Sequence, residues 1–165
     1  MFQIKPISKE SIPMALAKAE RYRLLSEPML TESICLDILE TEPGNSEALV
    51  IMLLAISDQF GTSSSDDMSR AKQILTQFTD EYDKQYYSGL VCERQAKAKL
   101  NKRMPDGGFI AYEWLRDAME HYEKAEALRP AGNDDSILRW NTCARLINRY
   151  DLKPRDEKYI EPPLE

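Results

Sequence analysis

The chain has 165 residues, a formal net charge of -6 and an isoelectric point of about 5.0. This length suffices for one domain with a hydrophobic core. The acidic balance argues against a nucleic-acid partner, because binding to a phosphate backbone needs clustered basic side chains. No apolar run of about 18 residues is present, and the N-terminal stretch lacks the apolar block of a secretory signal. These features predict a cytoplasmic protein with no membrane contact.

The three cysteines, Cys35, Cys92 and Cys143, are far apart and fall in segments with helical spacing. Their number is odd and no paired C-x-x-C motif occurs, so neither a disulfide framework nor a zinc site is expected. The favoured interpretation is that all three are small buried side chains in a reducing compartment. A reactive thiol is the less favoured alternative, because no histidine motif supports it.

Apolar residues recur with helical spacing along nearly the whole chain, and no long stretch alternates between apolar and polar residues. This periodicity predicts an all-α protein of about seven helices and no sheet. The helices are separated by segments rich in proline, glycine and short polar residues, which favour turns.

The first two predicted helices are delimited by serine and proline. The first runs over about 11–25, with Ser11 as its N-terminal cap. The second has Pro28 in its first turn and stops before Pro43, since proline donates no backbone hydrogen bond and disfavours helix at the residue before it. The stretch "EPGN" is then a tight turn, and Ser46 is expected to cap the third helix.

The remaining helices follow in the same way. The third, about 46–60, is apolar on most sides and is predicted to be buried between several neighbours. A fourth carries apolar residues from Met68 to Phe78. Three more are predicted at about 82–102, 109–128 and 136–150. The tail, 151–165, is rich in proline and charge and is predicted to be extended or disordered.

One segment near the C-terminus has a specific pattern. In "AMEHYEKAEALRP", Ala118, Tyr122, Ala125 and Pro130 lie at relative positions of about 0, 4, 7 and 12. This order of small, aromatic, small and proline residues resembles the second helix of a tetratricopeptide repeat, whose period is about 34 residues. The small residues let two helices approach closely, the aromatic ring fills the space beside them, and the proline ends the helix.

Weaker forms of the pattern occur in the N-terminal half. Ala19 and Tyr22 match the small and aromatic positions, and the segment after Pro43, "NSEALVIM", resembles the start of a new repeat. Leu53 departs from the family, which prefers glycine or alanine there. The resemblance implies a right-handed α-α superhelix of about three hairpins and a capping helix. Their expected ranges are about 11–44, 45–81, 82–131 and 133–150, and the polar outer side of the last helix is assigned to Arg139, Arg145, Asn148 and Arg149.

Residues for catalysis are scarce. His121 is the only histidine, so a metal site or a catalytic triad would lack a second imidazole. The "DGG" stretch at 106–108 lacks the preceding strand and the lysine of a phosphate-binding loop, and is predicted to be a turn. The sequence therefore predicts no enzyme, no cofactor and no metal ligand.

Proteins of the resembled family mostly bind other proteins, and the resemblance implies that the first helix of each hairpin lines a concave groove. The matching positions are Leu16, Glu20, Arg23 and Leu24 in the first hairpin, Glu47, Val50, Leu54, Ser57 and Asp58 in the second, and Tyr82, Tyr86, Leu90 and Glu93 in the third. The tyrosines at 86 and 87 are more readily explained as core residues than as ligand contacts. Carboxylates beside apolar side chains predict a basic and partly apolar partner segment.

Three interpretations of function remain open. The leading one is an adaptor or scaffold that binds a peptide segment of a partner protein. The second is a chaperone for a secreted client, similar to the class II chaperones of type III secretion. The third is a self-associating module, a homo-oligomer in which another copy fills the groove or the capping face. As an alternative to a partner segment, the tail, with Lys153, Arg155, Lys158, Tyr159 and Ile160, is expected to occupy the groove of its own or a neighbouring copy.

Overall fold

The computed structural model describes residues 1–62 and 66–156. In these ranges the chain forms seven α-helices, preceded by a short 3₁₀ turn at Lys9–Ser11, and it contains no strand. The helices are α1 (Ile12–Leu24), α2 (Pro28–Thr41), α3 (Ser46–Asp58), α4 (Asp67–Leu75), α5 (Glu81–Asn101), α6 (Gly107–Leu128) and α7 (Asp135–Arg149). The all-α prediction is thus confirmed for the described part of the chain. No helix there is both long and apolar enough to cross a membrane.

The helix bounds follow the sequence prediction to within one residue except in three places. The third helix, α3, ends at Asp58, before its predicted end at residue 60. α4 ends at Leu75, so Phe78 lies beyond the helix and packs edge-on against the Tyr87 ring at 5.7 Å. α6 begins at Gly107, before its predicted start at residue 109. Gly107 is buried, and a Cβ atom there would lie 3.2 Å from the carbonyl oxygen of Lys99, so the glycine allows α6 to start close against α5.

The caps of the first and third helices differ from the predicted ones. Asn45, and not Ser46, caps α3, because its Oδ1 accepts a hydrogen bond from the Ala48 amide at 2.9 Å. Ser11 precedes α1 without capping it, and its hydroxyl donates to the Ser8 carbonyl at 2.8 Å instead. Serine and asparagine cap helices about equally well, so their order in the sequence does not decide between neighbours.

The helices pack in a regular order. Each helix contacts the next one along the chain, and each odd-numbered helix also contacts the next odd-numbered helix. Among the described residues, no two even-numbered helices contact each other as extensively as neighbouring odd-numbered helices do. The helices α1, α3, α5 and α7 therefore form the more closely spaced of two layers.

The core consists of three apolar clusters, each of which joins three consecutive helices. The first cluster joins α1, α2 and α3, the second joins α3, α4 and α5, and the third joins α5, α6 and α7. α3 supplies Ile51 to the first cluster and Leu53 to the second, which confirms that this helix is buried from more than one side. The clusters are joined through α3 and α5, so they form a continuous series along the array.

The helices α5 and α6 approach each other closely at Gly89. A Cβ atom at Gly89 would lie 2.6 Å from Cε1 of Tyr122 and 3.1 Å from the carbonyl oxygen of Ala118. Ala118, Tyr122 and Ala125 are fully buried. The small and aromatic residues singled out in the sequence therefore do lie at a close helix crossing.

Candidate functional site

The surface considered as a site is the odd-helix face, which we define as the face on which α1, α3, α5 and α7 present two linked groups of ion pairs. The first group joins α1, α3 and α5. The second joins α5 and α7, and it includes a hydrogen bond from Tyr122 of α6. Adjacent residues of α5, Glu93 and Arg94, belong to the second and the first group respectively, so the two groups are continuous.

The first group centres on Asp58, the last residue of α3. One carboxylate oxygen lies 3.0 Å from Nη1 of Arg23 on α1, and the other lies 2.8 Å from Nη1 of Arg94 on α5. Arg23 also pairs with Glu20 at 3.2 Å. A negative charge at a helix C-terminus is unfavourable, and the two guanidinium groups offset it. Asp58 thereby links three odd-numbered helices.

Arg94 has a further role at the end of α3. Its Nη1 donates to the Leu54 carbonyl at 2.9 Å and to the Ser57 hydroxyl at 2.6 Å. Burial lowers the pKa of the Arg94 guanidinium, and the nearby Asp58 carboxylate opposes this effect. These contacts fix the guanidinium against the C-terminal turn of α3, where its positive charge is favoured.

The second group centres on Glu93, whose side chain is fully buried. Its carboxylate accepts hydrogen bonds from the Tyr122 hydroxyl at 2.7 Å, from Lys97 at 2.6 Å and from Arg139 at 3.3 Å. A buried carboxylate requires such donors, because it has lost its hydration. Burial, together with the Glu93 charge, raises the pKa of Tyr122 far above its usual range, so the phenol remains a donor.

The exposed partner differs between the two groups. In the first group the carboxylates of Glu20 and Asp58 are 41% and 40% exposed, while the side chains of Arg23 and Arg94 are only 17% and 22% exposed. In the second group Glu93 is 1% exposed, and its cationic partners, Lys97 and Arg139, are 43% and 37% exposed. The sign of the exposed charge therefore changes from negative to positive between the two groups.

An open cleft adjoins the first group. Its volume is about 480 Å³, and it lies where α1 and α3 end and α2 begins. Arg23 and Asp58 line it together with Leu24, which is 70% exposed. The cleft thus combines an ion pair with an accessible apolar side chain, both at positions predicted from the sequence.

The other predicted groove residues have varied environments. Glu47 is exposed on α3, and Val50 and Leu54 are half-buried there. Leu16 is buried in the first cluster, so it contributes packing more than surface. Tyr82 and Tyr86 are stacked with ring centroids 6.0 Å apart, beside one another at the start of α5.

The favoured core interpretation fits the tyrosines of α5. Tyr86 packs against the third cluster and meets Tyr87 edge-on at 5.0 Å, while Tyr87 packs against the second.

His121 is half-buried, and its Nδ1 lies 2.8 Å from Oε1 of Gln85. Burial lowers the pKa of His121, with the Lys124 charge acting in the same direction.

The sequence interpretation missed Arg94 and Lys97, and it assigned Arg139 to the polar outer side of α7. The structure pairs the Arg139 guanidinium with Glu93 of α5 at 3.3 Å, while the side chain stays 37% exposed. The pairing of Lys97 with Glu93 could have been predicted from the sequence, because the two residues are four positions apart and therefore lie on one stripe of α5.

The described part of the tail lies away from these ion pairs. The Leu152 amide donates to the Ile147 carbonyl at 3.0 Å, and its side chain packs against the third cluster. Arg155 lies 3.9 Å from Asp106 and 5.9 Å from the centre of the Phe109 ring, at the start of α6. Lys158, Tyr159 and Ile160, which were considered as groove occupants, lie outside the described residues.

The three cysteines are free and buried, as predicted. Burial raises the pKa of each thiol to about 12.

Comparisons with protein-family models, with curated proteins and with solved structures find no match for this chain.

Proposed function

We propose that the chain is a protein-interaction module that binds an extended segment of a partner protein along its odd-helix face, as an adaptor or scaffold. The finer fold in this proposal is a right-handed superhelix of three hairpins that resemble tetratricopeptide repeats, with α7 as the capping helix. In such arrays the first helices of successive hairpins form the inner layer, which provides the binding surface.

The helix-packing pattern carries this proposal. The odd-numbered helices contact one another, whereas the even-numbered ones are spaced more widely. A two-layered stack curves toward its more closely spaced layer, because the other layer must cover a longer arc. The odd-helix face would then be concave, and a concave strip that crosses four helices suits an extended peptide.

The crossing of α5 and α6 supports the family resemblance on which the finer fold depends. Gly89 lies where α5 and α6 come close together, and the family prefers glycine or alanine at a position of this kind in its first helix. On α6, Ala118 and Tyr122 provide the small and aromatic partners. The second hairpin has Leu53 at the family's small position, and its two helices have less contact than α5 and α6.

The exposed side chains of the first two hairpins support a partner with basic and apolar residues. The accessible edges of the first ion-pair group are carboxylates, those of Glu20 and Asp58, and Glu47 is exposed on the same helix as Asp58. Leu24 offers an apolar contact nearby. Ion pairs at the rim would set the association rate and the salt dependence, and apolar contacts would set the residence time.

Quantitative affinity capture with matched variants tests the proposal. The variant Glu47→Lys changes an exposed carboxylate on α3, and Glu120→Lys makes the same change on α6, an even-numbered helix. We expect proteins captured by the wild type to be depleted with Glu47→Lys and retained with Glu120→Lys. Thermal melts of both variants control for folding, since Glu47 lies in the first turn of α3.

Equal recovery with both variants would exclude the odd-helix face as the binding surface. Asp58 is unsuitable for a charge reversal in this experiment. A lysine there would face Arg23 and Arg94, so lost binding and lost folding could not be separated.

A further inference from the structure

We propose that the odd-helix face recognises a segment with two charge blocks, a basic block over α1 and α3 and an acidic block over α5 and α7. This inference rests on the proposed function and narrows it, because it replaces a uniformly basic partner with one that carries both signs in a defined order.

The first step is the availability of the charged groups. At the α1–α3 end, Glu20 and Asp58 are the exposed partners, and the arginines that pair with them lie deeper. At the α5–α7 end the buried partner is Glu93, and the exposed ones are Lys97 and Arg139. A bound segment would therefore meet carboxylates at one end of the face and cations at the other.

The second step is the remaining hydrogen-bonding capacity of these groups. Each oxygen of Asp58 has one arginine partner, and a carboxylate oxygen can accept a second hydrogen bond. Lys97 has three N–H groups and Arg139 has five, and Glu93 can occupy only some of them. A partner's charges can thus be added to the existing pairs, and no internal ion pair has to break.

The third step is the distance between the two blocks. Neighbouring packed helices are about 8–10 Å apart, so the midpoint between α1 and α3 lies about 16–20 Å, or two helix spacings, from the midpoint between α5 and α7. An extended chain advances about 3.3 Å per residue, which places the block centres about five or six residues apart. The segment that spans the whole face would be about eight or nine residues long.

Synthetic peptides of about twelve residues test this inference, because that length exceeds the estimated span of the face. The first peptide has its lysines in one half and its glutamates in the other, with leucine interspersed. The second has the same composition with lysine and glutamate alternating. The third has lysine at every charged position. Dissociation constants are measured by fluorescence anisotropy at low and high salt.

We expect the block peptide to bind more tightly than either of the others, by a factor on the order of ten at low salt, and the difference to shrink at high salt. The variant Lys97→Gln should weaken the block peptide and should not weaken the all-lysine peptide, because the Lys97 charge attracts the glutamates of the first and repels the lysines of the second. Glu93 stays paired with Arg139 and Tyr122 in this variant, so we expect the fold to be retained, and a thermal melt checks this. Lys124→Gln, an exposed lysine on α6, is the matched control and should change neither.

Two outcomes overturn the inference in distinguishable ways. If the all-lysine peptide binds as tightly as the block peptide, and Glu47→Lys weakens it, the two-block inference is wrong and the proposed function stands. If no peptide binds in a way that depends on Glu47 or Lys97, the proposed use of the odd-helix face fails as well.

Discussion

At the scale of single residues, the spacing between helices is set by the smallest side chains. Gly89 on α5 leaves room for the Tyr122 ring, whose hydroxyl is held by Glu93 at 2.7 Å. The ring cannot easily move aside, because it is fully buried and hydrogen-bonded. A single hydrogen atom as side chain is therefore required at this position, although glycine is otherwise unfavourable in a helix.

The substitution Gly89→Ala tests this requirement. Its Cβ would lie 2.6 Å from Tyr122 Cε1, so we expect a loss of about 1–3 kcal/mol of unfolding free energy from overpacking. The gain in helix propensity, up to about 1 kcal/mol, offsets part of this. Gly108→Ala is the matched control, since its Cβ would meet Leu152 at an ordinary 3.7 Å. Denaturant unfolding of both variants measures the difference, and equal stabilities would contradict the close approach.

Ala118→Leu should act at the same crossing from α6. The added side chain would overpack a fully buried position and cost about 1–3 kcal/mol. Ala127→Leu, on the exposed side of the same helix, should change stability by less than about 0.5 kcal/mol. A thermal melt of Ala118→Leu that matches the wild type would show that the crossing tolerates a larger residue.

The buried cysteines give a prediction about pH. Burial raises the pKa of Cys35, Cys92 and Cys143 to about 12, above the value of about 8.5 in an unfolded chain. The folded state therefore binds these protons more tightly. The stability that these protonated thiols contribute is complete below about pH 8.5 and is lost as the pH rises toward 12.

Alkylation with iodoacetamide tests whether the thiols are buried. We expect slow alkylation of the native protein at pH 8 and fast alkylation in denaturant, both measured by mass spectrometry. Rapid native alkylation of any one thiol would mean that it is accessible.

At the scale of elements, the odd-numbered helices are joined by charge as well as by apolar contact. Asp58 on α3 accepts from Arg23 on α1 and from Arg94 on α5. Through Glu93 and Arg139 the series continues to α7. The even-numbered helices have few equivalents in the described residues, where Arg70 of α4 pairs with Glu32 of α2. Charged links thus concentrate on the face that the function is proposed to use.

Asp58→Asn tests how much the ion pairs of Asp58 with Arg23 and Arg94 contribute to the free energy of unfolding. The asparagine keeps the size of the side chain but removes the charge, so two ion pairs weaken together. Since the carboxylate is 40% exposed, solvent screens it, and we expect a loss of about 1 kcal/mol, smaller at high salt. Asp117→Asn, at an exposed position of α6, is the matched control. If the two variants unfold at the same denaturant concentration, Asp58 is not a stabilising bridge.

At the scale of the whole molecule, stability should be uneven along the array. The contact between α5 and α6 is the most extensive of any helix pair, while α4 has only nine residues. Each helix contacts mainly its neighbours in the array, so we expect that local opening can occur without global unfolding.

Native-state hydrogen exchange tests this distribution. We expect the slowest amides in α5 and α6 around Gly89 and Ala118, and faster exchange in α4. The physical reason is that opening α4 breaks fewer contacts than opening the α5–α6 hairpin. The same protection in all helices would instead indicate one cooperative unit that opens only as a whole.

Local features were accessible from the sequence because they depend on neighbours in the chain. Pro28 and Pro43 mark the limits of α2, and the short spacing of Ala118, Tyr122 and Ala125 identified a buried helix stripe. The burial of all three cysteines was predicted from their position in segments with helical spacing and from the absence of a paired motif. Each of these inferences uses residues within a few helical turns of one another, where backbone geometry alone fixes which side chains share a face.

The charged network was decided by tertiary structure. Arg23 and Asp58 are 35 residues apart, and Arg139 and Glu93 are 46 residues apart. Whether such side chains meet depends on the rotation and axial offset of packed helices, which a single sequence does not specify. For this reason the positions of Glu20, Arg23 and Asp58 were found, but neither their pairing nor the contributions of Arg94 and of Arg139 were. By itself the sequence determined where the helices lie and which stripes they bury, and only the packing decided which charges remain exposed on the odd-helix face.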